Sequence, residues 1–143
     1  KRTAPAPFMA SFDAPNREQT CTARGRSNTP MQALQLMNDV QHVEAARNLA
    51  QRIIKEGGAK DEERIQWAWR TVTSRRPGPD EAKIVTDVLK GHRARYASDL
   101  EAAKQLIAYG ESVPDKEIAP NELAPWTLVA NLLLNLDEVV NKN

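Results

Sequence analysis

The sequence predicts an all-α protein, a compact bundle of four or five helices preceded by an extended N-terminal arm. Apolar residues recur at three- and four-residue steps over most of the chain after Thr29, as one buried face of a helix requires. Alternation of apolar and polar residues, the pattern of a half-buried strand, does not extend over any useful length. The chain has 143 residues, 41% hydrophobic and 27% charged, which suits one globular domain with its own core.

Residues 1–29 form the predicted arm, and residues 30–143 form the predicted helical domain. Prolines and small polar residues recur in the arm without a helical period. The boundary sequence Thr29-Pro30-Met31-Gln32 has the form of a capping box with proline at the first helical position. We expect the Thr29 hydroxyl to accept the Gln32 amide hydrogen while the Gln32 side chain returns the bond. Because the arm opens without an initiating Met, we interpret the chain as the middle of a longer protein that has been cut.

Five helical segments follow the arm. Asp39 is a favourable N-cap residue inside the first segment, so we expect either one kinked helix or two short ones before Gly57-Gly58. Pro79 opens the third segment, and Ser98-Asp99-Leu100-Glu101 has the form of a second capping box. We expect the segments to cover, in order, about residues 30–56, 61–74, 79–96, 98–110 and 125–140.

The apolar spacing also predicts which side chains face the core. The third segment is expected to bury Ile84 together with Val85 and Leu89, and the fourth to carry Leu100 and Ile107 on its apolar face. The last segment is apolar on nearly all sides. Such a helix belongs in the middle of a bundle or beneath a partner.

The net charge is small, but it is unevenly distributed. Twenty basic and nineteen acidic residues give +1, which removes the usual electrostatic reason to expect a nucleic-acid partner. Residues 1–30 hold five basic and two acidic groups, residues 31–98 hold twelve and nine, and residues 99–143 hold three and eight. The three segments therefore carry +3, +3 and −5. We interpret this as head-to-tail complementarity, either within one fold or at an interface.

Several classes of site are disfavoured by residue counts and spacing. Cys21 is the one cysteine and there are two histidines, which excludes an internal disulfide and a zinc site built from Cys and His. Asp39 and His42 share a helical face, but Glu44 does not align with His42, so we expect no metal site there and no cofactor in this chain. No apolar run is long enough for a membrane span, and the N-terminus has no apolar signal segment.

The most unusual segment lies just before the first predicted helix. Three arginines precede a helix N-terminus, where free amide hydrogens and the helix dipole already favour an anion. One interpretation is a pocket for a sulfate, phosphate or carboxylate. The other, which we favour, is that the arginines clamp the arm to the acidic C-terminal helix, because guanidinium groups commonly tie irregular segments to carboxylates. The candidate anion ligands are Arg17, Arg24, Arg26, Asn28 and Thr29. The candidate clamp residues are Asp137 and Glu138, with Asn131 and Asn135.

Three smaller features have structural interpretations. Asn131 and Asn135 are an i,i+4 amide pair in an apolar helix, and we expect them to bond to each other or to the backbone of the arm. Trp67 and Trp69 are two residues apart on a helix, so both cannot face the core. Cys21 lies beside the arginines but has no adjacent base, so we interpret it as a small, partly buried thiol rather than a nucleophile.

Several stretches of this chain resemble one protein family. They are Arg17 to Asp39 with its Thr-Cys, Asn-Thr-Pro, Gln-Ala-Leu and Met-Asn-Asp groups, then Arg75-Arg76-Pro77 with Glu81, Gly110-Glu111-Ser112, and the residues 133–138. Together these resemble the C-terminal PSD-one domain of unknown function of large planctomycete and related bacterial proteins. Two positions depart from the pattern. Val40 stands where the family often has proline, which weakens the expected break, and Pro125 suggests that the last helix begins after it.

The resemblance implies a parent protein that is exported and multidomain. Members of the family typically carry an export signal, a companion domain of unknown function and often a cytochrome-c-like haem domain upstream. The haem motif Cys-x-x-Cys-His does not occur in this chain, so a haem c cofactor would belong to the upstream part. The family has no established reaction, so the resemblance implies no catalytic residue.

These observations favour a non-catalytic structural or interaction module that closes a larger exported protein and binds its upstream domains. The first alternative is a module that binds an anionic ligand, such as a sulfated or acidic glycan, through the arginine segment. The second is part of an active site completed by upstream domains, with Arg17, Cys21, Arg24 or Asn28 contributing.

Overall fold

The computed structural model describes residues 7–15, 22, 23, 25, 27 and 29–140. These residues form helices and connections, with no strand among them, which confirms the predicted all-α class. The helices are α1 (Pro7–Ser11), α2 (Pro30–Asn38), α3 (Val40–Glu56), α4 (Asp61–Thr73), α5 (Pro79–Ser98), α6 (Leu100–Ile107), α7 (Pro120–Leu134) and α8 (Asp137–Val140).

The chain divides into two compact units, Lys1–Asn38 and Asp39–Asn143. In the first unit, α1 lies within the arm and was not predicted. The predicted capping box is present: Gln32 N donates to Thr29 Oγ1 at 3.3 Å, and Thr29 N donates to Gln32 Oε1 at 2.9 Å. The Gln32 side-chain amide also donates to the Ser11 carbonyl at 2.7 Å and to Ser27 Oγ at 3.0 Å. The Gln32 side chain therefore links the last residue of α1, Ser11, and Ser27 to the first turn of α2.

Asp39 separates α2 from α3, so the first predicted segment is two helices rather than one kinked helix. Its carboxylate accepts hydrogen bonds from Gln41 N at 3.0 Å and His42 N at 3.1 Å. These two amides are among those that the start of a helix leaves unpaired. The α3 helix ends at Glu56, directly before Gly57, as the sequence predicts.

Helix α4 ends and α5 begins close to the predicted positions. Ser74 takes a left-handed conformation (φ 63°) at the end of α4, and Pro79 stands in the first turn of α5. Two burial predictions are wrong, because Ile84 is 60% and Leu100 46% exposed. Their helices turn other residues inward, with Val85 and Leu89 on α5 forming the buried face.

The predicted capping box at the start of α6 is also wrong in its register. Ser98 is the last residue of α5, and Asp99 is the cap, accepting a hydrogen bond from Ala102 N at 2.9 Å. Glu101 is the first-turn acid and pairs with Lys104 at 2.7 Å instead of returning a bond to the cap.

Helix α7 begins earlier than predicted and ends earlier as well. It starts at Pro120, contains Pro125 in its sixth position and ends at Leu134, and α8 begins only at Asp137. Proline at the start costs no hydrogen bond, whereas Pro125 removes the donor for the carbonyl of Asn121. The helix continues through Pro125 because its surroundings are buried, including Trp126 at 0% exposure.

Helix α7 lies at the centre of the second unit, as its apolar composition predicts. It packs against α3, α5 and α6, while α4 packs between α3 and α5. No helix in the described part of the chain has the length and apolar character needed to cross a membrane. The core is formed by large side chains at most 2% exposed, among them Ile53, Ile65, Leu89, Leu123, Trp126, Val129 and Leu133.

Candidate functional site

A buried arginine on α3 anchors the connection between α6 and α7. Arg47 is 1% exposed, and its guanidinium donates to the carbonyl oxygens of Ile107 and Tyr109 at 2.6 Å each. It also donates to the carbonyl oxygen of Ser112 at 2.7 Å and to Ser112 Oγ at 2.5 Å. The Ile107 carbonyl lies at the end of α6, where helix carbonyls lack intrahelical partners. Arg47 therefore supplies the missing donors.

Glu44, one turn before Arg47, binds the same connection through its carboxylate. It accepts hydrogen bonds from Ser112 N at 2.7 Å, Glu111 N at 3.1 Å and the Ser112 hydroxyl. These bonds, those from Ser112 first, lower the pKa of the Glu44 carboxyl to about 2. Gly110 has φ 94°, and a Cβ there would overlap the Glu44 carboxylate. Glycine is therefore required at the centre of this contact.

The polar face of α3 continues toward its C-terminus. Gln51 Oε1 accepts a hydrogen bond from Asp115 N at 2.6 Å, and Lys55 forms an ion pair with the Asp115 carboxylate. Residues 44, 47, 51 and 55 recur at three- and four-residue steps, so they share one face of the helix. This face holds residues 107–115 against the bundle.

A second cluster joins α4, α5 and α7. The Arg93 guanidinium donates to Asp61 at 2.5 and 3.0 Å and to Glu122 at 2.6 and 3.1 Å. The Trp126 indole N–H donates to Glu122 at 3.0 Å, and Arg64 lies 3.4 Å from the same carboxylate. The bonds to Asp61 and Glu122 raise the pKa of Arg93, and the bond from Arg93 lowers the pKa of Asp61. The cluster is a fixed set of paired charges.

A third cluster lies in the connection between α4 and α5. Arg75 binds both oxygens of Glu81, at 2.7 and 2.8 Å, and both oxygens of Glu138 in α8, at 2.7 and 3.0 Å. Its guanidinium also lies 5.3 Å from the centre of the Trp69 ring. The bonds from Arg75 and from Gly78 N lower the pKa of the Glu81 carboxyl to about 2. The Arg75 side chain therefore contacts three helices: α4 through Trp69, α5 through Glu81 and α8 through Glu138.

The comparison with protein families concerns the first 89 residues, which include Arg75 and Glu81 of the third cluster but not Glu138. The family model described as PSD1, protein of unknown function (DUF1553), matches residues 1–89, more than half of the chain. The chain belongs to the PSD1 family. The matched residues include Arg75, Arg76 and Glu81 and end within α5, so the stretches 110–112 and 133–138 lie beyond them. No curated protein and no solved structure matches the chain.

Of the five candidate anion ligands in this PSD1 chain, the structure describes Thr29 alone. Arg17, Arg24, Arg26 and Asn28 lie outside the described residues, so the anion pocket stays a prediction. Thr29 is described, and its hydroxyl oxygen accepts the hydrogen bond that caps α2.

The predicted clamp residues have contacts of their own in the bundle. Glu138 binds Arg75, and Asp137 is the first residue of α8. The Asn135 side-chain amide donates to Asn131 Oδ1 and to the Asn131 carbonyl, at 2.9 Å each, so the two amides bond to each other. A clamp on the arm stays a prediction because the arginines that would form it are outside the described residues.

The remaining sequence candidates have structural positions or are not described. Asp39 caps α3 and Glu44 binds the 110–112 connection. Within residues 7–15, 22, 23, 25, 27 and 29–140, no three His, Cys, Asp or Glu side chains are grouped as metal ligands. Cys21 lies outside these ranges.

Two hollows border α4 and share Gln66, and the smaller of them lies between α4 and the start of α5. The tryptophan pair divides as its spacing predicts, since Trp69 is buried and Trp67 is half-buried at the larger hollow. The larger hollow, about 540 Å³, is lined by Gly57, Glu63, Gln66, Trp67, Arg70 and Thr71. The smaller, about 290 Å³, is lined mostly by apolar groups: Ile65, Pro77, Pro79, Ala82 and Thr86, with Glu62, Gln66, Arg76 and Gly78.

The sequence reasoning missed Arg47 and Arg93, the two arginines that organise the bundle. A signal for Arg47 was available. It lies four residues after Val43 and three before Ala50, on the face of α3 that the apolar spacing marks as buried. An arginine on such a face needs several acceptors, because a buried charge without partners is costly. Arg93 has a similar position on α5, four residues after Leu89 and three before Tyr96, but its partners, 29 and 32 residues away, could not be identified from the sequence.

Proposed function

We propose that this chain is a non-catalytic structural and interaction module of a larger exported multidomain protein. The observation that supports this proposal is that three arginine side chains bond to residues of other helices and connections. Arg47 and Arg93 each bind two or more positions at least 29 residues away, and Arg75 joins Glu81, six residues away, to Glu138, 63 residues away. Such multivalent guanidinium contacts fix the relative positions of helices.

The carboxylates in these clusters are suited to the same structural role. A general acid or base works best with a pKa near the operating pH. Glu44 and Glu81 instead have pKa values lowered to about 2 by the hydrogen bonds that hold them. They remain ionised at neutral pH and serve as fixed acceptors.

The interaction role is tested by binding in trans. The isolated chain is titrated with the upstream portion of its own reading frame, and complex formation is measured by calorimetry. We expect saturable binding, together with an unchanged affinity for Lys90→Ala, which removes an exposed charge of α5. Absence of binding would contradict the interaction role, and turnover of any substrate by the purified chain would contradict the non-catalytic assignment.

A further inference from the structure

The larger hollow on α4 is an open depression of the surface that the three charge clusters do not use. Its lining comes from one outward face of α4, at positions 63, 66, 67, 70 and 71, and from Gly57 just after α3. A volume of about 540 Å³ lies within the range of roughly 300–1,000 Å³ found for ligand sites.

The acidic groups at this hollow are already satisfied. The Glu63 carboxylate accepts hydrogen bonds from Ala59 N at 3.0 Å and Lys60 N at 3.2 Å. Glu56, the last residue of α3, is paired with Arg52 at 3.0 Å. The donors to Glu63 are neutral backbone amides, so Glu63 keeps its negative charge, whereas the charge of Glu56 is paired with Arg52.

Two donors in the hollow lack partners in the described part of the chain. Neither the Arg70 guanidinium nor the Gln66 amide makes a hydrogen bond or an ion pair there, and both side chains are exposed. Arg70 is therefore the cation of this lining that lacks a carboxylate partner among the described residues, and Glu63, two turns before it on α4, is the one acidic residue of the lining. Its planar, forked donors match the two oxygens of a carboxylate.

The aromatic wall of the hollow is held in place. Trp67 packs against the buried core along one part of its surface, and the Arg52 guanidinium lies 5.2 Å from the centre of its ring. An indole fixed in this way presents a rigid surface that combines apolar carbon with an N–H donor. It loses little conformational entropy when a ligand binds.

We propose that this hollow binds an acidic saccharide, with a sugar carboxylate on Arg70, ring hydroxyls on Gln66 and Thr71, and the sugar ring along Trp67. An acidic peptide would share the contact with Arg70 but would also need apolar pockets for its side chains. Trp67 is the one apolar side chain in this lining, which favours a ligand made mostly of hydroxyl groups. Its residues differ from the candidate anion ligands before α2 and from those of the three charge clusters.

The test is a calorimetric titration of the full chain with a short oligogalacturonide. The variants are Arg70→Ala and Gln66→Ala, which change exposed side chains and leave the core intact. Lys90→Ala is the matched control, because it removes one exposed positive charge from the neighbouring helix α5. We expect the wild type to bind, Arg70→Ala to bind about tenfold more weakly or worse, and Lys90→Ala to stay within about twofold.

Three results would overturn the proposal. The first is no measurable binding at a ligand concentration of about 1 mM. The second is equal weakening by Arg70→Ala and Lys90→Ala, which would indicate attraction by net charge alone. The third is binding of poly-glutamate as tight as that of the oligogalacturonide, which would indicate an acidic peptide site instead.

Discussion

The Arg47 guanidinium is a charge held inside the bundle mainly by neutral oxygen atoms. Its Nη atoms bond to three carbonyl oxygens and one hydroxyl, while the nearest carboxylate, on Glu44, lies at 3.5 Å. Taking a charge out of water is costly, and the cost is offset only when most of its donors are bonded. The acceptors depend on Arg47 in turn, because they lie at a helix end and in a connection.

Replacing Arg47 should therefore be strongly destabilising. We expect Arg47→Met to lower the free energy of unfolding by about 3 to 5 kcal/mol, since buried oxygens lose their donors. Urea unfolding followed by circular dichroism measures the change. The control is Lys104→Met, which removes a cation from an exposed pair with Glu101 and should cost less than about 1 kcal/mol. Equal losses in the two variants would contradict the role of Arg47.

Two glycines give opposite expectations for the same substitution. Gly110→Ala should lower the free energy of unfolding by more than about 1 kcal/mol, because its φ is 94° and the new Cβ would meet Glu44. Gly91→Ala should raise it by about 0.5 to 1 kcal/mol, because Gly91 lies inside α5 with open space around its Cβ position. Thermal or urea unfolding of both variants distinguishes them. Destabilisation by both would show that the contact with Glu44 is not the cause.

The pKa of Glu81 predicts a definite pH dependence of stability. Its value falls from an ordinary 4.5 to about 2 in the folded protein. The unfolded state therefore binds the proton first as the pH falls, so this contribution is complete above about pH 4.5 and is lost toward pH 2. We expect Glu81→Gln to be less stable than the wild type at neutral pH, with the difference closing near pH 2. Urea unfolding at several pH values measures this difference in the free energy of unfolding. If the difference stayed constant from neutral pH to pH 2, the lowered pKa of Glu81 would not be its source.

Helix caps were among the features of the fold that could be predicted from the sequence. Thr29 with Gln32, and Asp39, are caps whose partners lie two or three residues away, so their chemistry is visible in a short stretch of sequence. Arg47 and Arg93 act over 29 residues or more. Their partners are brought near only by the packing of the helices.

At the scale of elements, the course of α7 through Pro125 is determined by burial in the core rather than by the local preference of proline for helix starts. A proline normally marks a helix start, and both Pro120 and Pro125 offer one. The chain uses Pro120 and continues through Pro125, because the residues from Leu123 to Ala130 are almost all buried in the centre of the second unit. The early end at Leu134 likewise could not be read from the apolar pattern, which continues through residue 140.

The next prediction concerns anion binding by the arginines of the arm. If Arg24 and its neighbouring arginines form an anion pocket, sulfate or a heparin-like polymer should raise the melting temperature of the chain. Charge reversal by Arg24→Glu should abolish the rise, because anion binding at a helix N-terminus depends on nearby positive charge. Thermal melts with and without the polymer measure this. A rise that survives Arg24→Glu, or no rise at all, would count against the pocket.

For the whole molecule, the uneven charge along the sequence corresponds to ion pairs inside the bundle. The middle segment, 31–98, is net positive and the segment 99–143 is net negative. Among residues 31–140, four pairs join the two segments. They connect α3, α4, α5 and the α4–α5 connection to residues near or within α7 and α8. These pairs are Lys55 with Asp115, Arg64 with Glu122, Arg93 with Glu122, and Arg75 with Glu138. The middle and last segments are thus paired within the second unit, while pairing between residues 1–30 and 99–143 stays a prediction.

Each half of the second unit should therefore recognise the other. The segment 39–98 contains α3, α4 and α5, and 99–143 supplies α7, which packs at their centre. Separately expressed, neither segment has its full core, so we expect each alone to show weak helicity. Mixed, they should form a helical complex by burying the α7 core side chains and by pairing their opposite charges.

Salt distinguishes the two contributions to this complex. Charges at partly exposed pairs are screened at high ionic strength, whereas apolar burial is not weakened by salt. We expect the affinity measured by circular dichroism titration to fall as sodium chloride is raised, and the fall to be smaller when 99–143 carries Glu122→Gln. That substitution removes the carboxylate shared by Arg64 and Arg93. An affinity independent of salt would mean that apolar packing alone joins the halves, and failure to associate would mean that the core forms only in the continuous chain.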